Sequence, residues 1–302
     1  LEGIEALLLV GPKEVFTDAE LRVLDRFLVG GGNLFVLYDG FMVDEKDFTR
    51  EKNPTNLRDF LEHHGILVKE DIVADYSSSQ QLTLSTRDGQ LLLRDYVYWP
   101  EVTKAGLDQS SAITESLHVV TFPWPSSLVI ETQNDDKESL DLVKTTLDAF
   151  SFSDENIISL HPDDIFKNPG LEQLSIAALV TGTFTPYFEE NAEYLSTEKS
   201  ANLFVVGNSR FVIDEILHAG VANALLVLNA IDVITQDDRL IELRSNISLQ
   251  RPLPPLTGEE KRMIRMGNIF GLFGVVFILF IVTYARRSHC AKKQSVELST
   301  DN

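Results

Sequence analysis

The sequence predicts an α/β fold, with a mostly parallel, doubly wound sheet, a hairpin-rich insertion and one C-terminal transmembrane helix. Three observations lead to this prediction. Apolar runs typical of buried strands alternate with amphipathic helical patterns near both ends of residues 1–249. The middle of that range, about 76–172, is hairpin-rich and less regular. A run of 20 uncharged residues, 266–285, follows near the end of the chain.

The first strand and helix are the most clearly marked. "IEALLLVG" (4–11) is a continuous apolar run ended by Gly-Pro, which predicts a strand buried on both faces. Thr17 and Glu20 have the spacing of a capping box, and the glycines at 30–32 end the helix that follows. The next elements are a buried strand "NLFVLYDG" (33–40), a helix "PTNLRDFLEHHG" (54–65) and a strand "ILVKEDIVAD" (66–75). Short links between these elements predict parallel strands joined by right-handed crossovers.

The insertion is less regular than the two ends. "LTLSTRDGQLLLRD" alternates around Asp88-Gly89 and predicts a hairpin. Residues 116–132 predict a strand that prolines interrupt, and residues 138–150 suit either a helix or the edge of the insertion. The tryptophans at Trp99 and Trp124 stand beside prolines, where they either cover the edge of the core or form a docking patch for a partner.

The regular pattern then returns. "QLSIAALVTGTF" (173–184) predicts another buried strand, and "ANLFVVGNSRFVIDEIL" (201–217) predicts a strand, a tight turn and a helix. Residues 223–245 predict a further helix followed by a short strand. Residues 250–265, rich in proline at their start, read as a linker to the apolar run.

Charge is divided unevenly along the chain. The whole chain has a net charge of −20, while residues 261–302 hold seven Lys/Arg and two acidic residues, so residues 1–260 carry −25. A body this acidic repels phosphate backbones, which argues against nucleic-acid binding. Cys290 is the single cysteine. The body therefore has no disulfide, no thiolate metal site and no cysteine nucleophile.

The apolar run 266–285 has the length that a helix needs to cross a bilayer and so to contact membrane lipid. Gly267, Gly271 and Gly274 form a flat strip on which another helix could pack closely, although glycine is also tolerated on a lipid-facing helix. Three basic residues precede the run and four follow it, which favours a cytoplasmic tail over 286–302 by one charge.

Several blocks, in this order, resemble a known family. They are "LLVGPKEVFTDAELRVLDRFLVGGGNLFVLYDG", "LRDFLEHHGILVKEDIVAD", "NLFVVGNSRFVIDE", "NALLVLNAIDVITQDDRLIELRSN" and "LTGEEKRMIRMGNIFGLFGVVFILFIVTYARR". Together they resemble the gliding-motility-type auxiliary proteins of ABC transport systems, a bacterial family. The separate motifs mostly form the fold, and the order in which they occur makes the resemblance specific.

The resemblance implies a longer protein with an upstream span and an extracytoplasmic region. It also implies a flavodoxin-like or class I amidotransferase-like domain and a final span in the bacterial inner membrane, with the body outside. The implied partners are an ABC permease and an ATPase encoded separately. The family supplies no catalytic residues to carry over.

The turn after the strand at 201–206 is the best candidate for ligand binding. Gly207, Asn208, Ser209 and Arg210 follow a predicted strand and open a helix, where backbone N–H groups can hold an anion. The turn lacks the spaced glycines of a dinucleotide site and the Gly-Lys-Ser/Thr of a phosphate loop. A tight structural turn is the competing interpretation. No cofactor is expected.

An amidotransferase-like fold raises the alternative of a hydrolase. Ser209 is the nearest analogue of a nucleophile on a strand-to-helix elbow. His63 and His64 end a predicted helix and are expected to be solvated, and His218 follows Ser209 by only nine residues on the next helix. The paired aspartates lack the spacing of a calcium loop, so no metal site is predicted.

These observations predict a non-catalytic, membrane-anchored auxiliary subunit that docks on a permease or on envelope components. Two alternatives remain open. One is a tail-anchored cytoplasmic protein, and the other is a membrane-anchored hydrolase or ligand sensor.

Overall fold

A computed structural model describes residues 3–44, 49–85, 91–131, 137–153, 170–194, 200–219 and 222–235, together with residues 263, 266 and 267. The chain divides into two compact units, Leu1–Leu253 and Pro254–Asn302. In the second unit the described residues are Met263, Met266 and Gly267, all helical.

The described part of the first unit contains fourteen strands and four α-helices. The strands are β1 (Ala6–Val10), β2 (Asn33–Leu37), β3 (Phe41–Val43), β4 (Arg50–Lys52), β5 (Ile66–Val68), β6 (Ile72–Asp75), β7 (Ser79–Ser85), β8 (Leu91–Thr103), β9 (Val119–Thr121), β10 (Leu128–Ile130), β11 (Lys137–Lys144), β12 (Ala149–Phe152), β13 (Ser175–Gly182) and β14 (Ala201–Val206). The helices are α1 (Asp18–Val29), α2 (Leu57–His63), α3 (Asp214–Ala219) and α4 (Ala222–Ile234).

The main sheet is mixed. Its strand order is β1-β2-β14-β13-β10-β5, and β11 also pairs with β13. β2 pairs in parallel with β1 and with β14, whereas β13 is antiparallel to β14, β10 and β11, and β10 is antiparallel to β5. Three smaller antiparallel sheets are formed by β3-β4, by β6-β12 and by β7-β8-β9.

The prediction of a mostly parallel, doubly wound sheet is therefore wrong. Only the β1, β2 and β14 part is parallel. The apolar run at 173–184 forms a strand as predicted, but the chain reaches it from β11 and β12, which are strands where 138–150 allowed a helix. Antiparallel neighbours do not need the helical crossover that parallel neighbours require, so β13 can enter the sheet in the opposite direction.

α1 begins as the sequence predicts. The backbone N–H of Thr17 donates to Glu20 Oε2 at 2.8 Å, and the Glu20 N–H donates to Thr17 Oγ1 at 3.3 Å, so the capping box is confirmed. The side chains of Leu21, Leu24 and Leu28 are buried along one face of the helix. The capping box thus fixes where α1 begins, and the apolar face of α1 covers the sheet.

The two faces of the sheet are covered by different helices. The side chains of β2 and of the residue after it alternate between these two faces. Leu34, Val36 and Tyr38 belong to a core with α1 and α2, whereas Phe35 and Leu37 belong to a core with α4. β1 lies at the edge of the sheet, and its Leu8 and Val10 are 41% and 51% exposed. The prediction that this strand is buried on both faces is wrong, because among the described strands only β2 pairs with it.

The C-terminal prediction is also corrected. Within the described residues, no helix is both long and apolar enough to cross a bilayer. Apart from Met266 and Gly267, the predicted span 266–285 lies outside the described residues, as does the predicted short strand before residue 245. The observed fold class is mixed α/β, rich in strands, with no membrane-spanning helix in the part that the structure describes.

Candidate functional site

The carboxyl ends of the three parallel strands meet at one edge of the main sheet. β1 ends beside Gly11, β2 leads to Asp39, and β14 leads to Gly207. The Gly11 N–H donates to Leu37 O at 2.9 Å, and the Tyr38 N–H donates to Val206 O at 2.9 Å. The predicted turn 207–210 therefore lies at the carboxyl ends of the parallel strands, the edge at which open α/β sheets bind ligands.

A buried carboxylate occupies this edge. Asp39 Oδ1 accepts the backbone N–H of Ser209 at 2.6 Å, and Asp39 Oδ2 accepts the Ser209 hydroxyl. Burial raises the pKa of Asp39, and the Ser209 hydrogen bonds and the charges of Arg210 and Lys13 oppose that rise only in part. Both donors of Ser209 are thus bound within the protein and point at its own carboxylate.

Asn208 is fully buried and makes internal hydrogen bonds at both ends of its amide. Its Nδ2 donates to Pro123 O at 2.7 Å, and its Oδ1 accepts the Phe211 N–H at 2.8 Å. The first bond holds the segment 122–127 over the strand ends. The second links the turn 207–210 to the helical residues that follow it. Asn208 therefore shapes the turn and joins it to the insertion.

Gly207 allows two backbones to approach closely. A Cβ at this position would lie 2.1 Å from Ser126 O, whose own N–H donates to Gly207 O at 2.7 Å. Gly40, after β2, is similar, since a Cβ there would lie 2.2 Å from Lys69 O and 2.6 Å from Ser126 Oγ. Glycine at 207 is therefore explained by packing against the segment 122–127.

Arg210 is the charged residue of the predicted turn, and it is half-buried. Its guanidinium lies 5.3 Å from the centre of the Trp124 ring and donates to Val43 O at 2.5 Å. Trp124 has a φ of 51°, unusual for a residue with a side chain, and its N–H donates to Tyr98 O at 2.9 Å. Trp124 and Phe122 are buried, so they cover the edge of the core, as one of the two interpretations predicts.

The structure brings all four turn residues together with Asp39 but leaves few of their polar groups open. Because the Ser209 N–H is already bound to a carboxylate, an anion would have to displace that bond to use it. Ligand binding at residues 207–210 stays a prediction. A Cβ added at Gly267 would meet nothing within 4 Å, and Gly271 and Gly274 lie outside the described residues, so the helix-packing role of these glycines also stays a prediction.

None of the imidazoles that the structure describes hydrogen-bonds to Ser209. His63 Nε2 lies 3.1 Å from Pro186 O, His118 Nδ1 lies 3.2 Å from Ser116 O, and His64 is buried beside Asp25. His161 lies outside the described residues, and the side chain of His218 is not described. In the described part of the chain, no group of three or more His, Cys, Asp or Glu side chains is placed to hold a metal ion.

Sequence reasoning missed the pair formed by Asp25 and His64. His64 was expected to be solvated at its helix end, but the side chain is fully buried, as is that of Asp25. A signal for Asp25 was present, because it follows Leu24 and precedes Leu28 on the apolar face of α1. A charged residue within an apolar stripe needs buried partners.

Ser209→Ala is expected to lower the free energy of unfolding by about 1–2 kcal/mol at pH 7, because a buried carboxylate loses a donor. The pKa of Asp39 is raised in the folded state. The stability that Asp39 contributes is therefore present below its pKa in the unfolded chain and is lost as pH rises through its pKa in the folded chain. Removing the Ser209 hydroxyl raises the pKa of Asp39 in the folded state further. The loss of unfolding free energy in Ser209→Ala should therefore be larger at pH 7 than at pH 4. Urea unfolding at both pH values measures it.

Ser200→Ala is the matched control, since Ser200 is exposed at the opposite end of β14. Its unfolding free energy should stay within about 0.5 kcal/mol of wild type. Equal stability of Ser209→Ala and wild type at pH 7 would contradict the assigned role of the hydroxyl.

Three comparisons relate the chain to known proteins. The sequence model of a family described as "ABC-type uncharacterized transport system" matches residues 1–230. Over 73 residues the chain is 37% identical to the Intraflagellar transport protein 52 homolog of Homo sapiens, a stretch that is 24% of this chain and 15% of that protein. The solved structure of "mmIFT52 N-terminal domain" is similar with a TM-score of 0.47 and 19% identity, over 78% of this chain and 80% of that one.

The matched stretch spans only a small part of the human protein's length.

Proposed function

Because the chain belongs to the family described as an ABC-type uncharacterized transport system, and is thereby an auxiliary component of such a system, we propose that it acts without catalysis. In this proposal the α/β unit docks on the permease of the system, with the ATPase as a further partner. The family suggests that the chain works in association with a membrane.

A non-catalytic role is supported by the edge at the carboxyl ends of the parallel strands, which the protein's own side chains occupy. A hydrolase of this architecture needs a nucleophile on the strand-to-helix turn and a base within reach. Here the Ser209 hydroxyl donates to the buried Asp39, and the described imidazoles are hydrogen-bonded or buried elsewhere. The protein's own groups thus occupy the edge at the carboxyl ends of the parallel strands, which leaves docking as the better-supported activity.

The hairpin of β7 and β8 is the surface that we propose for docking. β8 is 13 residues long, but its partner β9 pairs only with Glu101–Thr103. Residues 91–95 pair only with β7 among the described strands, in a register that places Leu93 opposite Thr83. A two-stranded ribbon is barely stable when it is isolated in water, and packing against a partner stabilises it.

Leu93 gives this surface its apolar contact. Its side chain is 65% exposed, although it lies in a regular strand where burial would be expected. β7 also has no strand on its outer side within the described part of the sheet, so its backbone can accept an added strand from a partner. Residues 1–260 carry a charge of −25, which favours a partner surface with apolar and basic residues over an acidic one.

Photo-crosslinking in membranes tests this proposal. A photoreactive amino acid at Leu93 is expected to capture an ABC permease, identified by mass spectrometry. Leu147 is the matched control, because it is 72% exposed but lies in the turn between β11 and β12. It should capture several-fold less permease.

Equal capture from both positions would argue against the hairpin as the docking surface. No permease from either position, with the tagged chain also failing to co-purify it from membranes, would overturn the proposed function. The same proposal has the α/β unit on the extracytoplasmic side, and protease added to intact spheroplasts digests the unit only if it lies there.

A further inference from the structure

A buried cluster joins three separate parts of the chain on the α1 and α2 side of the sheet. It consists of Asp25 on α1, His64 directly after α2, and the segment 185–191 that crosses both helices. The side chains of Asp25 and His64 are both 0% exposed. We call this cluster the clasp.

Asp25 fastens the crossing segment to α1. Its carboxylate accepts the backbone N–H groups of Tyr187 at 2.9 Å and Phe188 at 3.0 Å, and the side-chain amide of Asn191 at 2.8 Å. Burial pushes the pKa of Asp25 up, but the hydrogen bonds from His64, Tyr187, Phe188 and Asn191 outweigh it and hold the pKa below its ordinary value. The segment therefore stays closed only while this carboxylate holds its donors.

Contacts from α1 outside the core extend the clasp. The Asn191 amide also donates to Arg22 O at 3.1 Å, and the Arg22 guanidinium lies 4.4 Å from the centre of the Phe188 ring. Arg22 also forms an ion pair with Glu190. The ion pair of Arg22 is partly exposed and contributes less than the buried carboxylate.

His64 has poor partners for a charged imidazole. Its Nε2 lies 3.5 Å from Asp25 Oδ1, and its Nδ1 has no hydrogen-bond partner within the described residues. The ring packs edge-on against Phe60 at 4.5 Å and Phe184 at 5.6 Å. Burial in this apolar site lowers the pKa of His64 to about 4, so the imidazole is neutral at pH 7.

The other charged groups that face His64 do not favour its protonation. His63 lies on α2 with its ring 5.0 Å away, and its Nε2 is close to Thr185 O and Pro186 O. Lys137 of β11 holds its ammonium 4.8 Å from the centre of the Phe184 ring. Both groups lower the pKa of His64, and Asp25, the anion that faces His64 from α1, already accepts three donors.

We propose that the clasp is a pH-sensitive device in which protonation of His64 releases the segment 185–191 from α1 and α2 while the sheet stays folded. An imidazolium needs a second acceptor for its Nδ1–H and closer contact with Asp25. Neither is available while Phe60 and Phe184 enclose the ring, and opening the segment lets water hydrate the charge. Because the open state binds the proton more readily than the closed state, acid shifts the equilibrium towards opening.

Hydrogen exchange measured at pH 7.5 and pH 5 tests the proposal. After correction for the intrinsic pH dependence of exchange, the protection of the Tyr187 and Phe188 amides is expected to fall by on the order of tenfold at pH 5. The amides of β13 and β14 in the centre of the sheet should keep their protection. Unchanged protection at Tyr187 and Phe188, or an equal loss in β13 and β14, would overturn the proposal.

Two variants separate titration of His64 from other effects of acid. His64→Phe keeps an aromatic ring among Phe60 and Phe184, and its segment 185–191 should keep the same protection at both pH values. His118→Phe removes a histidine outside the clasp, since His118 Nδ1 lies 3.2 Å from Ser116 O, and this variant should keep the pH dependence of the wild type.

If His64→Phe fails to fold, the nuclear magnetic resonance titration of His64 in the wild-type chain gives the answer. The His64 ring signals should titrate over the same pH range in which segment 185–191 opens. A ring that titrates like a solvated histidine while the segment stays closed would count against the device.

Discussion

Gly207→Ala is expected to lower the free energy of unfolding by about 3 kcal/mol, one of the two largest effects predicted for a single substitution in this chain. The added Cβ would lie 2.1 Å from Ser126 O and 3.1 Å from Ser126 C, both backbone atoms. Neither can rotate away, and Ser126 is itself held by its N–H to Gly207 O and by its hydroxyl, which donates to Asp71 O at 2.8 Å. The segment 122–127 must therefore shift away from the strand end.

Thermal unfolding followed by circular dichroism measures this effect. For a domain of this size, a loss of about 3 kcal/mol corresponds to a Tm lower by roughly 6–12 °C. Gly170→Ala is the matched control, since nothing lies within 4 Å of a Cβ at that position, and its Tm should remain close to that of the wild type. A normal Tm for Gly207→Ala would show that the segment 122–127 does not constrain this turn.

Asp25→Ala is expected to lower the free energy of unfolding by about 3–4 kcal/mol. The substitution leaves the Tyr187 and Phe188 N–H groups and the Asn191 amide without their acceptor in a buried site. Each buried donor without an acceptor costs about 1–3 kcal/mol, and relaxation of the segment offsets part of the sum. His64 also loses the Asp25 carboxylate beside its ring.

Urea unfolding at pH 7 measures this loss, and Asp18→Ala is the control. Asp18 lies on the same helix but is exposed in its first turn, where an acidic residue stabilises the helix by about 0.3–1 kcal/mol. If the two variants were equally stable, Asp25 would not hold the segment 185–191 in the way the contacts indicate.

Elements defined by neighbouring residues were predictable. The capping box of Thr17 and Glu20 is confirmed, and the apolar runs that become β2, β13 and β14 are strands as predicted. These features depend on residues within a few positions of each other, so their pattern is present in the chain before it folds.

Strand direction was not predictable in the same way. The runs that form β13 and β14 look alike, yet β13 is antiparallel to β14, and β14 is parallel to β2. A strand buried on both faces has the same apolar composition in either direction. Likewise, β1 was expected to be buried on both faces but lies at an edge, because its position depends on which other strands pair with it.

The candidate site illustrates the same limit. The turn 207–210 and Asp39 were each visible at the ends of predicted strands, but they are 170 positions apart, and their hydrogen bonds exist only when β2 and β14 pair. The pairing of Asp25 with His64 arises in the same way, because α1 and α2 pack side by side on one face.

By itself, the sequence determined the acidic body, the helix start at Thr17 and the strands and turns that local patterns encode. Only the tertiary structure decided the mixed direction of the sheet, the closure of Ser209 onto Asp39 and the burial of His64. The reason is physical: local conformation depends on near neighbours along the chain, whereas burial, hydrogen-bond partners and pKa shifts depend on groups that folding brings together from distant positions.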